Sequence, residues 1–280
     1  MSKNPLIRPY LKWAGGKRQL VREIGKRIPE FTGRYYEPFV GAGAIFFHLQ
    51  PSRATISDIN EQLFLTYKAI RDNVEELISL LEMHKENNSS DHFYKIRGLD
   101  RNGAFEGMSE VEKAARTIYL NKTCYNGLYR VNSDGLFNTP YGKYRNPAIC
   151  ESDVLRSISA YLNKNGIKIY NKDFVLAASR AREGDFVYFD PPYDSPDSMN
   201  FTGYNAGGFD RKQQIRLKEF MVKLTERGVK CLLSNSSTDF IRDIYGEVDD
   251  FTVNVVKANR MINSNPNGRG TVDEVLVSNW

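Results

Sequence analysis

The stretch Arg34-Tyr-Tyr-Glu-Pro-Phe-Val-Gly-Ala-Gly-Ala-Ile-Phe-Phe-His-Leu-Gln-Pro-Ser-Arg-Ala-Thr-Ile-Ser-Asp58 decides the fold class. Residues 34–40 carry the aromatic and apolar character of a strand. Gly41 and Gly43 make a tight turn, residues 44–49 open a helix, and residues 54–57 form a second short strand ending at Asp58. Two strands joined through a helix form a βαβ unit, which implies parallel pairing and an α/β fold. The glycines let a ligand approach the backbone, and the carboxylate after the second strand accepts protons from two ribose hydroxyls. Asp58 could instead cap the helix that begins near Glu61. The glycine pattern is incomplete for a dinucleotide, so the expected ligand is a nucleoside without a pyrophosphate.

A second informative stretch lies downstream. Asp185-Phe-Val-Tyr-Phe189 reads as a buried strand, and Asp190-Pro-Pro-Tyr193 stops it. Prolines supply no N–H to a ladder, and Pro191 pushes Asp190 out of the helical region. The turn is therefore stiff and presents a carboxylate, a fixed carbonyl and an aromatic ring. In an open α/β sheet, ligands bind at that end of the strands. Taken alone, the four residues are also compatible with a plain proline-rich strand end.

Between these units the pattern changes. Residues 61–86 have helical periodicity with a break near Asp72-Asn73, and Ser109-Glu-Val-Glu112 is a capping box opening another helix. Residues 152–165 form a further helix, ended by Gly166. The expected organisation is a sheet domain of residues 1–60 and 167–280, with a mainly helical insertion at 61–166. After the insertion come strands at 167–170 and 229–233, a short helix at 175–182, and a helix capped by Asp210 and ended by Gly228. Segments 248–256 and 273–279 form an antiparallel pair. The polar loop 194–209 is suited to closing over a substrate, and loop 258–272 to contacting phosphates.

Residues 116–146 are the most unusual portion. Arg116, Lys122, Arg130, Lys143 and Arg145 stand against the single acid Asp134, interleaved with Tyr119, Tyr125, Tyr129, Phe137, Tyr141 and Tyr144. Cations neutralise phosphates, Asn and Arg read base edges, and aromatic rings stack on bases, so this loop is expected to touch nucleic acid. A solvated, tyrosine-rich surface loop is the alternative.

Composition is that of an ordinary soluble globular protein, mildly basic: 41% hydrophobic, 26% charged, net charge +5. No apolar run nears the roughly 20 residues of a membrane span. The first residues lack the apolar stretch of a signal peptide, and Cys124, Cys150 and Cys231 have no CxxC spacing. A cytoplasmic protein with reduced thiols is expected. His48, His84 and His92 form no ligand pattern, so no metal is expected. Gly15-Gly16-Lys17 is not a phosphate loop, because no strand precedes it and Arg18 stands where Ser or Thr would hold magnesium.

Four motifs in order resemble the Dam-like DNA adenine-N6 methyltransferases, including the Dpn-type modification methylases of GATC-type sites. They are Lys12-Trp-Ala-Gly-Gly-Lys17, Glu37-Pro-Phe-Val-Gly-Ala-Gly43 with Ser57-Asp58-Ile-Asn60, Asn126-Gly-Leu-Tyr-Arg130 through Asn138-Thr-Pro-Tyr-Gly-Lys-Tyr144, and Asp190-Pro-Pro-Tyr193. The resemblance implies a Rossmann-like mixed seven-stranded sheet with helices on both faces, the insertion serving as target-recognition domain. It implies S-adenosyl-L-methionine as cofactor, held by Trp13, Lys17, Glu37, Phe39, Gly41, Gly43, Asp58, Asp173, Phe174 and Asp190. Asp190, Pro191, Pro192 and Tyr193 would be catalytic. Lys12, Leu128 and Arg130 would read bases, Tyr125 and Asn126 would enter the gap left by a flipped base, and Asn138 and Tyr144 would help hold double-stranded DNA. It further implies no membrane, a monomer with up to two copies per site, and a cognate restriction endonuclease as companion. The residues alone leave open a cytosine-N4 DNA methyltransferase, an RNA or protein-glutamine methyltransferase, and a non-catalytic DNA-binding module with a vestigial cofactor fold.

Overall fold

In the computed structural model, which describes residues 3–13, 20–195, 208–260 and 270–280, the opening stretch is a parallel pair. Strands β1 (Tyr35–Glu37) and β2 (Ala54–Ser57) align Tyr35 with Ala54 and Glu37 with Ile56, and helix α2 (Ala44–Leu49) connects them. A short helix α1 (Val21–Arg27) precedes the pair. Strand β3 (Ile167–Tyr170) joins the free side of β2, and β4 (Phe186–Phe189) the free side of β1. β5 (Lys230–Ser236) continues in parallel beyond β4. The last two strands, β6 (Thr252–Arg260) and β7 (Gly270–Ser278), form an antiparallel hairpin, and β7 enters the sheet antiparallel to β5. The sheet is therefore mixed and seven-stranded, in the order β3-β2-β1-β4-β5-β7-β6. The strand order reverses between β1 and β4, which opens a crevice at their carboxyl ends.

Both faces of the sheet are covered, which is why β4 reads as an unbroken apolar run. Alternate residues serve opposite layers. Phe186 and Tyr188 pack with Tyr35, Ile56 and Leu232 on one side. Val187 and Phe189 pack with Tyr36, Cys231 and Leu233 on the other. That second layer is closed by α9 (Arg211–Thr225), through Leu217, Met221 and Leu224, and by α10 (Asp239–Gly246), through Ile241 and Tyr245.

The segment between β2 and β3 is helical as expected. It comprises α3 (Glu61–Asp72), α4 (Val74–Glu86), α5 (Ser90–Gly98), α6 (Glu110–Thr123) and α7 (Ser152–Leu162). The predicted break falls at Asn73. The capping box at α6 has both bonds, Glu112 N–H to Ser109 Oγ at 3.2 Å and Ser109 N–H to Glu112 Oε2 at 2.8 Å. Buried residues of α3, α4, α6 and α7 belong to the same apolar cluster as Ile56, Ile167 and Phe186. These helices thus share one core with a face of the sheet.

Several elements differ from expectation: β1 is shorter than 34–40, α7 ends before 165, β5 runs past 233, and β6 and β7 are offset from 248–256 and 273–279. Helix α8 (Phe174–Ala178) is shorter than 175–182, while α5 and α10 were not predicted. The last two are short, and capping rather than long periodicity defines them: Ser89 Oγ accepts from His92 N–H, and Thr238 Oγ1 from Ile241 N–H. Lys17, most of the 194–209 loop and the centre of the 258–272 loop lie outside the described residues.

Candidate active site and nucleic-acid interface

Because β1 through β5 run the same way, their carboxyl ends share one edge of the sheet. After β1 the chain turns through Gly41 (φ 50°) and Gly43 (φ 74°). Both positions need glycine for space as well as dihedral. A Cβ on Gly43 would lie 2.7 Å from the Tyr67 hydroxyl, and one on Gly41 3.2 Å from Trp13 Cδ1. The Tyr67 hydroxyl donates to the Gly41 carbonyl at 2.9 Å. Asp58 braces the turn from β2: Gly41 N–H donates to its Oδ2 at 3.0 Å and Asn60 N–H to its Oδ1 at 2.9 Å. Asp58 does not cap α3; Asn60 does, accepting from Leu63 N–H at 3.0 Å. Although solvent still reaches part of Asp58, burial pushes its carboxyl up to about 6, against the pull of the Asn60, Gly41 and Ile59 amides. Each carboxylate oxygen has a second lone pair, so the group bracing the turn can also accept from ligand hydroxyls.

Glu37 at the end of β1 is only 2% exposed and accepts from the Tyr35 hydroxyl at 2.7 Å. Burial raises its carboxyl well above the usual range, and the charges of Asp190 and Asp58 add to the effect. Phe39 stacks on buried Phe174 with centroids 5.4 Å apart, and α8, which Phe174 begins, packs on β1 and β2. Asp173 caps α8 through Val175 N–H at 3.0 Å, and both its oxygens pair with Arg216, at 2.7 and 2.8 Å.

Asp190 follows β4, between the ends of β1 and β5. Ser234 Oγ donates to Asp190 Oδ1 at 3.0 Å and lies 2.8 Å from the Tyr188 hydroxyl. A serine has one proton to give, so Tyr188 donates to Ser234 and the pair forms a directed chain toward the carboxylate. The Pro192 carbonyl accepts from Gln214 Nε2 at 2.9 Å, and Gln214 Oε1 accepts from Asn235 Nδ2 at 3.0 Å. Asn235 Oδ1 in turn takes the Asp194 N–H at 3.1 Å. The Tyr193 hydroxyl donates to Glu274 Oε2 on β7 at 2.7 Å. The turn is held by β5, α9 and β7 as well as by its prolines. Sequence reasoning misses Ser234, Asn235, Gln214 and Glu274. The visible signal is the polar run Ser234-Asn235-Ser236 ending an otherwise apolar strand.

The basic stretch folds as an irregular hairpin after α6, with bridges pairing Cys124 with Tyr141 and Val131 with Phe137. Its exposed side carries Tyr125 (58% exposed), Asn126 in the left-handed region (φ 56°), and Arg130, whose Nε donates to Asn138 Oδ1 at 2.8 Å. Leu128 is half-buried, its carbonyl accepting from Thr139 Oγ1 at 2.6 Å. Buried Asn121 ties the N-terminal segment to the hairpin, bonding the Lys12 amide at 3.0 Å and the carbonyls of Lys12 and Gly127 at 2.6 and 3.0 Å. Lys12 Nζ sits 5.7 Å above the Tyr144 ring. Trp13 lies against Gly41 and stacks on Tyr129 at 4.8 Å, so it joins the glycine turn to the hairpin.

Two cations of the stretch are already paired within the protein. Arg116 is buried, bonded to the carbonyls of Ile96 and Arg97 and paired with Asp100 at 2.8 Å. Lys122 pairs with Glu151 at 2.7 Å. Their acids come from other elements, so a count along 116–146 could not find them. Tyr119, Tyr129 and Phe137 are core residues and not stacking platforms. Arg130, Lys143 and Arg145 are exposed, with no ion pair among the described residues.

The sequence is similar to known proteins along its whole length. The family model described as D12 class N6 adenine-specific DNA methyltransferase matches residues 13–262. The type II methyltransferase M1.LlaDCHI of Lactococcus lactis subsp. cremoris is 43% identical over 100% of this chain and 98% of its own length. The type II methyltransferase M.MjaIII of Methanocaldococcus jannaschii is 40% identical over 98% of this chain and 99% of its own length. The DNA adenine methylase of Escherichia coli (strain K12) is 33% identical over 99% of this chain and 96% of its own length.

Proposed function

The chain belongs to the D12 class N6 adenine-specific DNA methyltransferases, and on that premise we propose that it moves the methyl group of S-adenosyl-L-methionine to adenine N6 in duplex DNA, within a GATC-type site, after the base has left the helix. Family membership sets aside the cytosine-N4, RNA, protein and non-catalytic alternatives that the residues left open. The observation that carries the rest is the placement of Asp190 at the reversal of strand order, beside the glycine turn braced by Asp58.

The residues fit the cofactor. Gly41 and Gly43 leave room where a Cβ would crowd Trp13 and Tyr67, and Asp58 keeps accepting capacity for ribose hydroxyls. Phe39 and Phe174 give an aromatic wall for adenine, whereas Asp173 serves first as cap and Arg216 partner. The bound cofactor supplies an activated methyl group. The adenine amino group is a poor nucleophile because its lone pair is delocalised into the ring. Asp190 and the Pro191 carbonyl accept hydrogen bonds from it and favour the rehybridised nitrogen that attacks. Ser234, Gln214 and the prolines fix those acceptors beforehand. Tyr193, anchored through Glu274, offers a ring for the extrahelical base.

The helical segment 61–166, with Lys12, supplies target recognition through Leu128, Arg130 and Asn138, while Tyr125 and Asn126 fill the vacated stack. The protein works in the cytoplasm as a monomer, with up to two copies per site, and a restriction endonuclease of the same specificity is the companion that the type II reading implies. Asp190→Ala is expected to lower methyl incorporation at least 1000-fold while leaving thermal unfolding within a few degrees of wild type. Turnover near the wild-type rate would overturn the catalytic assignment. Sequencing of methylated plasmid after expression tests the target, and modification outside GATC would exclude that site.

A further inference from the structure

A cavity of about 330 Å³ lies beside the hairpin, between the N-terminal segment and the chain leading to α7. Arg8, Lys12, Lys122, Tyr144, Asn146 and Glu151 line it. Three cations against one carboxylate leave it with a charge of +2 (three minus one). Glu151 divides its two oxygens between two elements: Oε1 accepts from Arg8 Nη2 at 2.9 Å, and Oε2 from Lys122 Nζ at 2.7 Å. It stands at the N-terminal cap of α7 yet makes no side-chain capping bond. The acid is thus drawn away from the N–H groups it would ordinarily satisfy. Lys122 is only 15% exposed on its side chain, whereas Arg8 is 56% exposed and free to follow another anion. Lys12 has no ion pair among the described residues and faces the same space from above Tyr144.

A carboxylate bridging two cations has the form of a phosphodiester, with two anionic oxygens and one charge. We propose that this cavity seats one backbone phosphate of duplex DNA, held by Arg8 and Lys122, and that Glu151 occupies the phosphate's place until the duplex arrives. The proposal rests on the DNA reading above and adds a contact that fixes the duplex without reading its sequence. A contact of this kind acts equally on every sequence and shows in the salt dependence, because each neutralised phosphate releases its counterions.

The test is fluorescence anisotropy of a short labelled duplex lacking GATC, titrated at several salt concentrations with the full-length enzyme and its variants. Arg8→Ala is expected to weaken binding several-fold, equally for duplexes with and without the site, and to flatten the slope of log K against log salt by about 0.9. Glu151→Gln keeps the shape of the side chain, removes the competing charge, and is expected to bind several-fold more tightly. Thermal melting checks that each variant is folded, and Arg8→Ala alone decides the matter if Glu151→Gln is not. If the wild-type enzyme binds and methylates DNA but Arg8→Ala leaves the slope unchanged, the phosphate seat is wrong and the function stands. If the wild-type enzyme binds no duplex, both readings fall.

Discussion

The chain Tyr188–Ser234–Asp190 holds the carboxylate proposed as catalytic from behind, through β5. Hydrogen bonds to a charged group are worth roughly 1.5–3 kcal/mol, and this one holds Oδ1 of Asp190. Asp190 makes further contacts, so losing Ser234 loosens the carboxylate without releasing it. Ser234→Ala is expected to lower kcat about tenfold, the factor that corresponds to roughly 1.4 kcal/mol. Single-turnover methylation measures it, and a rate within twofold of wild type would deny Ser234 this role. Asp58 gives a second prediction at this scale, through its sign. Its carboxyl is raised to about 6, so its proton binds more tightly in the folded protein than in the unfolded chain. The ionised form, which the proposed ribose contact requires, is therefore lost as pH falls through about 6. Affinity for S-adenosylmethionine is expected to decline from pH 7.5 to pH 5, and Asp58→Asn to bind weakly with little pH dependence. Calorimetric titration across that range checks both, and a flat wild-type profile would remove Asp58 from the ribose site.

Among elements, strands β2, β3 and β4 are the most legible part of the sequence and the basic hairpin the least. β2 and β3 match expectation to the residue and β4 to within one, because turn residues bound the runs, whereas β1 is shorter than the expected 34–40 and β6 lies four residues beyond the expected 248–256. In the hairpin, the sequence offered charge and aromatic content but not partners. Asp100 reaches Arg116 and also takes the Phe137 N–H at 3.0 Å, so cations that look like phosphate ligands are part of the hairpin's foundation. The same limit hid Gln214 and Glu274, which meet the Asp190–Tyr193 turn only once the sheet has formed. Exposed Arg130 and its neighbours are left for the proposed base reading. Arg130 is bonded across the hairpin to Asn138, which directs its remaining donors outward. A base-edge contact of this type discriminates by about 1–3 kcal/mol. Arg130→Ala should therefore reduce the ratio of kcat/KM between matched and one-base-altered duplexes by about one to two orders of magnitude, with cofactor affinity retained. Kinetics on a set of single-substitution duplexes measures the ratio, and undiminished discrimination would assign the reading elsewhere.

For the whole molecule, the question is whether the recognition segment is a separate folding unit or one region of a single unit. The sequence divides at residues 60 and 167, where strand signals stop and resume. The packing does not repeat it. Ile118 and Leu120 of α6 lie in one apolar cluster with Ile56 of β2 and Phe186 of β4, and α3 touches both α6 and β3. Removing the helices would strip one face of the sheet, and burying an aliphatic or aromatic side chain contributes about 1.5–3 kcal/mol. Neither part is then expected to persist without the other. The chain has only two tryptophans, and they report on opposite regions. Trp13 stacks on Tyr129 of the hairpin, and Trp280 meets Phe186 of β4 edge to face at 6.2 Å. Trp280→Phe and Trp13→Phe variants each leave one reporter. In urea the remaining tryptophan of each variant is expected to report the same midpoint as that variant's circular dichroism, as a two-state unit requires. A Trp13 signal that changes well before the circular dichroism of the same variant would show that the hairpin and its helices melt on their own, and the shared core would then be too weak to couple base reading to the catalytic edge.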